Sequence, residues 1–148
     1  MGKEDLAMDY FRQGYSCAQA VLLAFCQETG LTREQASMLS APFGGGMGRL
    51  REVCGAVSGM FMVAGALYGY DYNDDEKKKE HYALIQKLAA KFTAEHGTII
   101  CRDLLKIASE VPSPIPTKRD AEFYKARPCV RFVETAARLT EELIEDKE

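Results

Sequence analysis

Among the side chains capable of chemistry in this sequence, four cysteines stand first: Cys17, Cys54, Cys101 and Cys129. Their separations are long and no Cys-x-x-Cys pair occurs, so the zinc-finger and thioredoxin patterns are absent. What they share is a position near a predicted helix start. Cys17 follows a cap at Ser16, Cys101 sits three residues after Thr98, and Cys129 follows Pro128 in a first turn. Cys54 is expected slightly deeper, within about two turns of its helix start. A helix N-terminus carries partial positive charge and N–H donors, which favour thiolate over thiol. Thiolate is the form that attacks disulfides, becomes oxidised and ligates iron or zinc. Several helix starts converging on one point would hold an anionic sulfur cluster. The plainer alternative is a set of buried thiols packing as small apolar groups, and Cys129 shares a face with Phe132, Val133 and Ala136 as a core residue would. Cys26 lies nine residues after Cys17, about 180° around the same predicted helix, and reads as structural.

Other chemistries find less support. Gly44, Gly45 and Gly46 form a loop whose backbone N–H groups can cradle an anion or the sulfur atoms of a cluster, or simply turn the chain close to Cys54. No Gly-Lys-Ser/Thr follows and no strand precedes, so nucleotide binding is not expected. Arg49 and Arg51 can attract an anion or stabilise thiolates, with solvated surface arginines as the commoner case. His81 and His96 are about 60° apart around one predicted helix and some 22 Å apart along it, which rules out a joint metal site there. His81, among lysines and Glu80, reads as solvated. Asp74, Asp75 and Glu76 favour a helix start and lack calcium-loop spacing. No Ser-His-Asp hydrolase pattern is present.

The elements that must position the cysteines are helical throughout. Residues 3–13 carry Leu6, Tyr10 and Phe11 at helical spacing; a second helix runs from Cys17 towards Thr29 and stops at Gly30. Thr32 and Gln35 form a capping box for a short helix ending near Pro42. Residues 43–48 are a loop, because consecutive glycines lose too much entropy in a helix. A central helix is expected from about residue 50 to 68, its small residues allowing close backbone approach. Residues 74–96 place Tyr82, Ile85, Leu88, Ala89 and Phe92 on one face. Thr98 is expected to cap a short helix reaching about Ala108. Pro112, Pro114 and Pro116 exclude regular structure, and a last helix puts Phe132, Val133, Ala136, Thr140, Leu143 and Ile144 inward. The fold expected is all-α, one domain built as a compact bundle of about five or six helices.

Composition agrees. The chain has 148 residues, suiting one domain, and its 47% hydrophobic content supports a core without disulfide staples. A net charge of −3 with mixed signs argues against nucleic-acid or anionic-membrane surfaces. Residues 53–70 carry no charge, but Gly55, Gly59, Gly65 and Gly69 make a buried helix the expectation and membrane insertion unexpected. The charged residues Lys3, Glu4 and Asp5 stand where a leader would be apolar, so a cytoplasmic location is expected. In a reducing compartment the cysteines are reduced, metal-bound or part of a redox cycle.

The ordered stretches Gly14-Tyr-Ser-Cys-Ala-Gln-Ala20, Phe43-Gly-Gly-Gly-Met-Gly48, Cys54-Gly-Ala-Val-Ser-Gly59, Cys101-Arg-Asp-Leu-Leu105 and the late Cys129 resemble the redox-active family named for its pattern C_GCAxxG_C_C. The similarity runs from about Ala7 to Val133 and leaves Cys26 outside the family's four cysteines. It implies a helical protein with a redox role. Members are often encoded near transporters, so a redox partner, with a membrane transporter as one candidate, is implied too. A related helical domain accompanies haem proteins of the split-Soret type, where an iron–sulfur centre is suggested; lacking Cys-x-x-Cys-His, this chain is not expected to carry c-type haem. Three functions follow. In the first, Cys17, Cys54, Cys101 and Cys129 ligate an iron–sulfur cluster or zinc, with Gly44, Gly45, Gly46 and Gly55 contacting it, for electron transfer or redox sensing. In the second, a pair of these cysteines performs metal-free dithiol–disulfide chemistry as an oxidoreductase or sensor. In the third, the protein is a helical interaction module, such as a transporter accessory, with inert cysteines. Partner, oligomeric state and turnover are left open by the sequence.

Overall fold

A computed structural model describes residues 2–107 and 113–148, so the expectations on Ala108 and Pro112 lie outside the described residues. Ser16 opens the second helix through a reciprocal capping box, its hydroxyl accepting from the Gln19 N–H and its own N–H donating to Gln19 Oε1. Thr32 and Gln35 do the same for the fourth. The helices are α1 (Lys3–Arg12), α2 (Cys17–Ala24), α3 (Cys26–Thr29), α4 (Arg33–Ser40), α5 (Gly55–Tyr68), α6 (Asp75–His96), α7 (Cys101–Leu105), α8 (Ala121–Ala126) and α9 (Cys129–Lys147). A 3₁₀ turn, Ala41–Phe43, leads into the glycine loop, where the expected irregular stretch is a single tight turn, Gly44–Met47, kinked by left-handed Gly45 and Gly46. The all-α expectation holds, with no strand among the described residues.

α2 and α5 form the centre. α1 and α9 pack on each other, α1 also on α2 and α9 on both α2 and α5, while α4 covers α2 and α6 covers α5 and α9. One core results, filled by Phe11, Leu22, Phe25, Met60, Leu88 and Phe92. α9 turns Phe132, Val133, Ala136, Thr140 and Leu143 inward as its periodicity requires. α5 is apolar on nearly every side because neighbours surround it. No described helix is long and apolar enough to cross a membrane.

Four local expectations are corrected. The helix from Cys17 towards Thr29 breaks at Phe25 (φ −112°, ψ 22°), where the chain turns to bury that ring. The central helix begins at Gly55 rather than near residue 50. Its approach segment is held in extended pairing, with the Cys54 N–H donating to the Ile99 carbonyl (2.8 Å) and the Cys101 N–H to the Glu52 carbonyl (2.6 Å). On α6 only Leu88 and Phe92 are buried and Tyr82 is exposed, since the first half of that helix carries no buried residue. His81 is not simply solvated: its Nδ1–H donates to the Tyr68 carbonyl (2.8 Å) at the end of α5. A helix that the sequence analysis did not anticipate, α8, is capped by Asp120, whose carboxylate accepts from the Phe123 N–H (2.9 Å).

The central contact depends on a missing side chain. A Cβ on Gly59 would lie 2.9 Å from both the Ala18 carbonyl oxygen and Val21 Cβ, inside contact distance of rigid atoms. Gly65, on the same helix, would meet nothing within 4 Å. Gly59→Ala is therefore expected to destabilise the fold by about 1–3 kcal/mol, the range for overpacking a core. Gly65→Ala is expected to be neutral or stabilising by about 0.5–1 kcal/mol through helix propensity. Urea unfolding of the two variants checks the contrast.

Candidate cysteine site

The four cysteines do stand at helix starts. Cys17, Cys101 and Cys129 are the first residues of α2, α7 and α9, and Cys54 is the residue immediately before α5. Cys54 is thus shallower than expected. Thr98 does not cap α7; its hydroxyl accepts from the Ile100 N–H (3.1 Å) and turns the approach to Cys101. All four line one cavity of about 40 Å³, together with Gly45, Gly46, Arg51 and Gly55. That volume exceeds what one water needs, roughly 10–15 Å³, and is far below a small-molecule site of roughly 300 Å³. Cys26 begins α3, is half-buried and does not line this cavity. All five cysteines are free thiols.

The glycine loop closes one side. Gly46 has φ 71°, and a Cβ there would sit 2.7 Å from Cys101 Cβ and 2.9 Å from the Arg51 Cα. Only glycine satisfies both the left-handed backbone and the closeness of the loop to α7. Gly45 and Gly46 reach the inner cavity, as does Gly55, whereas Gly44 faces a larger pocket outside it.

Both arginines after the loop are structured, contrary to the solvated reading. Arg51 is only 4% exposed, and its Nη1 donates to the Cys101 sulfur at 3.8 Å. Arg49 donates to the Ser113 carbonyl (2.8 Å), the Thr117 hydroxyl (3.1 Å) and the Ile115 carbonyl, tying the proline segment to the glycine loop. Each has φ 63°, an uncommon conformation for a side-chain-bearing residue. The tight sequence of turns between Gly44 and Cys54 imposes it.

The outer pocket, of about 520 Å³, shares Cys17, Gly45, Arg51 and Cys129 with the inner cavity. Those two cysteines therefore stand between the spaces, and Cys54 and Cys101 lie only on the inner one. Arg119 and Arg127 join the outer wall, and sequence reasoning missed both. Arg119 stacks on Phe11 (4.4 Å) and Phe123 (4.7 Å) and donates to the carbonyls of Phe11 and Tyr15. The available signal was the run of Lys118, Arg119, Lys125 and Arg127 leading directly to Cys129.

The charge arrangement singles out one thiol. The Cys17 S–H donates to Cys129, which lowers Cys129 to about 7 against the opposing effect of burial; Arg127, Arg119 and Arg51 lower it further. The same hydrogen bond raises Cys17 well above its ordinary value, and burial adds to that. Burial pushes Cys54 up to about 12 even though the N–H groups of Val57 and Ala56 favour its thiolate. Burial also raises Cys101, outweighing Arg51. Of the four thiols, only Cys129 is shifted towards its thiolate.

The donor chemistry suits a thiolate-ligated group, but the arrangement does not make a preformed ligand set. Among the described residues no three His, Cys, Asp or Glu side chains are gathered to hold a metal ion.

Because Cys129 is depressed, its thiolate is present above pH 7 and lost as the pH falls through about 7. Iodoacetamide is expected to modify Cys129 first, with a pH–rate midpoint of about 7. Cys26, raised by burial, should show its midpoint above the ordinary 9.0. Cys17→Ala removes the donor and should move the Cys129 midpoint upward. Mass mapping of alkylation against pH reads all three; a Cys129 midpoint that stays put in Cys17→Ala contradicts the assignment.

No curated protein and no solved structure matches the chain. A family model described as "Putative redox-active protein (C_GCAxxG_C_C)" matches residues 15–143, a span that contains all four cavity cysteines and the glycine loop. The chain belongs to the C_GCAxxG_C_C family.

Proposed function

We propose that the protein carries out reversible dithiol–disulfide chemistry on the pair Cys17 and Cys129. The observation that carries this reading is that Cys17 and Cys129, alone among the four cysteines, stand on the wall shared by the inner cavity and an open pocket. A dithiol reaction needs one thiol ionised near neutral pH and a second within reach of it. Cys129 meets the first requirement and Cys17 the second. The Cys129 thiolate attacks one sulfur of a disulfide, forms a mixed disulfide and releases the other half as a thiolate. Cys17 then loses its proton and attacks the Cys129 sulfur, expelling the remaining half. The protein gives up two electrons as its dithiol becomes a disulfide, and the partner disulfide becomes two thiols. Cys54 and Cys101, kept protonated by burial, remain spectators at the closed end.

A second reading rests on the lining of one cavity by all four thiols: Cys17, Cys54, Cys101 and Cys129 hold zinc or an iron–sulfur cluster. The thiols would have to draw inward from the positions found here. Gly45, Gly46 and Gly55 would then be the nearest backbone.

Mild oxidation with diamide is expected to consume two thiols per chain and to give a Cys17–Cys129 disulfide on non-reducing peptide mapping. Cys17→Ser and Cys129→Ser should each abolish it, and Cys26→Ser should leave it unchanged. A disulfide mapping elsewhere, or no thiol loss in the folded protein, defeats the dithiol reading. Stoichiometric iron with acid-labile sulfide, or zinc, on anaerobically purified protein decides for the second.

A further inference from the structure

Near Cys129 the outer pocket is lined by Arg119 and Arg127. Arg49, Arg51, Arg119 and Arg127 line it, and no acidic side chain does so among the described residues. Its volume of about 520 Å³ falls within the range of small-molecule sites, roughly 300–1,000 Å³. Phe11, Phe123, Pro114 and Pro116 supply apolar wall, and Ser16 and Thr117 supply hydroxyls. A folded partner's surface would not enter such a space; a small molecule or a thin chain end would. The wall is also fastened in place. Arg49 bonds to the proline segment, and Arg119 is clamped by stacking and by two carbonyls. The Arg119 charge is thus fixed beside the approach to Cys129 before any ligand arrives, as electrostatic recognition requires.

We infer that the substrate class of this site is a small anionic disulfide, a low-molecular-weight molecule with carboxylates flanking its S–S bond. This rests on the dithiol reading and names what that dithiol reduces. Arg119 and Arg127 attract the carboxylates and bring one substrate sulfur to Cys129. Attack forms the Cys129 mixed disulfide and expels one small anionic thiolate into the pocket. Cys17 releases its proton to that thiolate or to water and displaces the second small thiol. The substrate gains two electrons and the protein retains the Cys17–Cys129 disulfide.

Three nearly isosteric disulfides test the inference: dithiodiglycolate (anionic), bis(hydroxyethyl) disulfide (neutral) and cystamine (cationic). Each is mixed with the reduced full chain, and mixed-disulfide formation at Cys129 is followed by mass in a Cys17→Ser background that traps the adduct. Each rate is divided by that of a neutral thiol in solution with the same disulfide. Dithiodiglycolate is expected to exceed the neutral compound by about tenfold or more at low ionic strength, with cystamine slowest, and salt should close the gap. Arg127→Gln should lower the anionic-to-neutral ratio several-fold, a readout that a general loss of Cys129 reactivity does not move. Normalised rates that are equal for the three disulfides, or a preference untouched by Arg127→Gln and salt, overturn the inference while leaving the dithiol chemistry standing. A Cys129 inert to all three defeats the dithiol reading itself.

Discussion

The contact between α2 and α5 is made with one side stripped of side chains. Gly59 lies so close to the Ala18 backbone and Val21 that an added carbon would intrude, and Gly55 sits tightly against the Ala18 backbone and Cys17 Cβ. Because the two helices meet this closely, the starts of both fall together, and Cys54 is placed beside Cys17. The extended pairing of Val53 with Ile100 then carries Cys101 to the same spot. α9, packed on α1, α2 and α5, delivers Cys129. Four positions far apart in the chain become the lining of one small cavity through a single close helix–helix approach and the pieces fastened to it.

Convergence of four thiols does not make four reactive groups. Taking a thiolate out of water is costly, and one already formed disfavours its neighbours. Helix starts and N–H donors offset part of that cost; for Cys54 they fall far short. Cys129 differs because a neighbouring S–H donates to it and three arginines face it. The arginines arrive from separate places: Arg51 from the turn after the glycine loop, Arg119 and Arg127 from the segments around α8. Which thiol the guanidinium groups reach thus sets Cys129 apart from the other three.

The all-α class, the cap at Ser16, the capping box at Thr32, the inward face of α9 and the glycine turn after Phe43 were all legible in the sequence. Each is written in local chemistry: a hydroxyl three residues before a glutamine, a 3.6-residue apolar period, three glycines in a row. The separate standing of Cys26 was legible too, from its angular offset, although the helix assumed for that offset breaks at Phe25. Tyr82 shows the limit of periodicity, which identifies a face but not whether a neighbour reaches that far along it.

What the sequence by itself determined, then, is which residues begin helices and which of those beginnings carry sulfur. Only the tertiary structure decided that Cys17 and Cys129 line one cavity wall together, that they border an open pocket while Cys54 and Cys101 do not, and that Arg51 is buried against a thiol. The reason is physical. Capping and periodicity act within a few residues, so local order can be read from local sequence. Burial, thiol contact and the field of distant arginines are sums over neighbours separated by tens of positions, and no spacing in the chain records them.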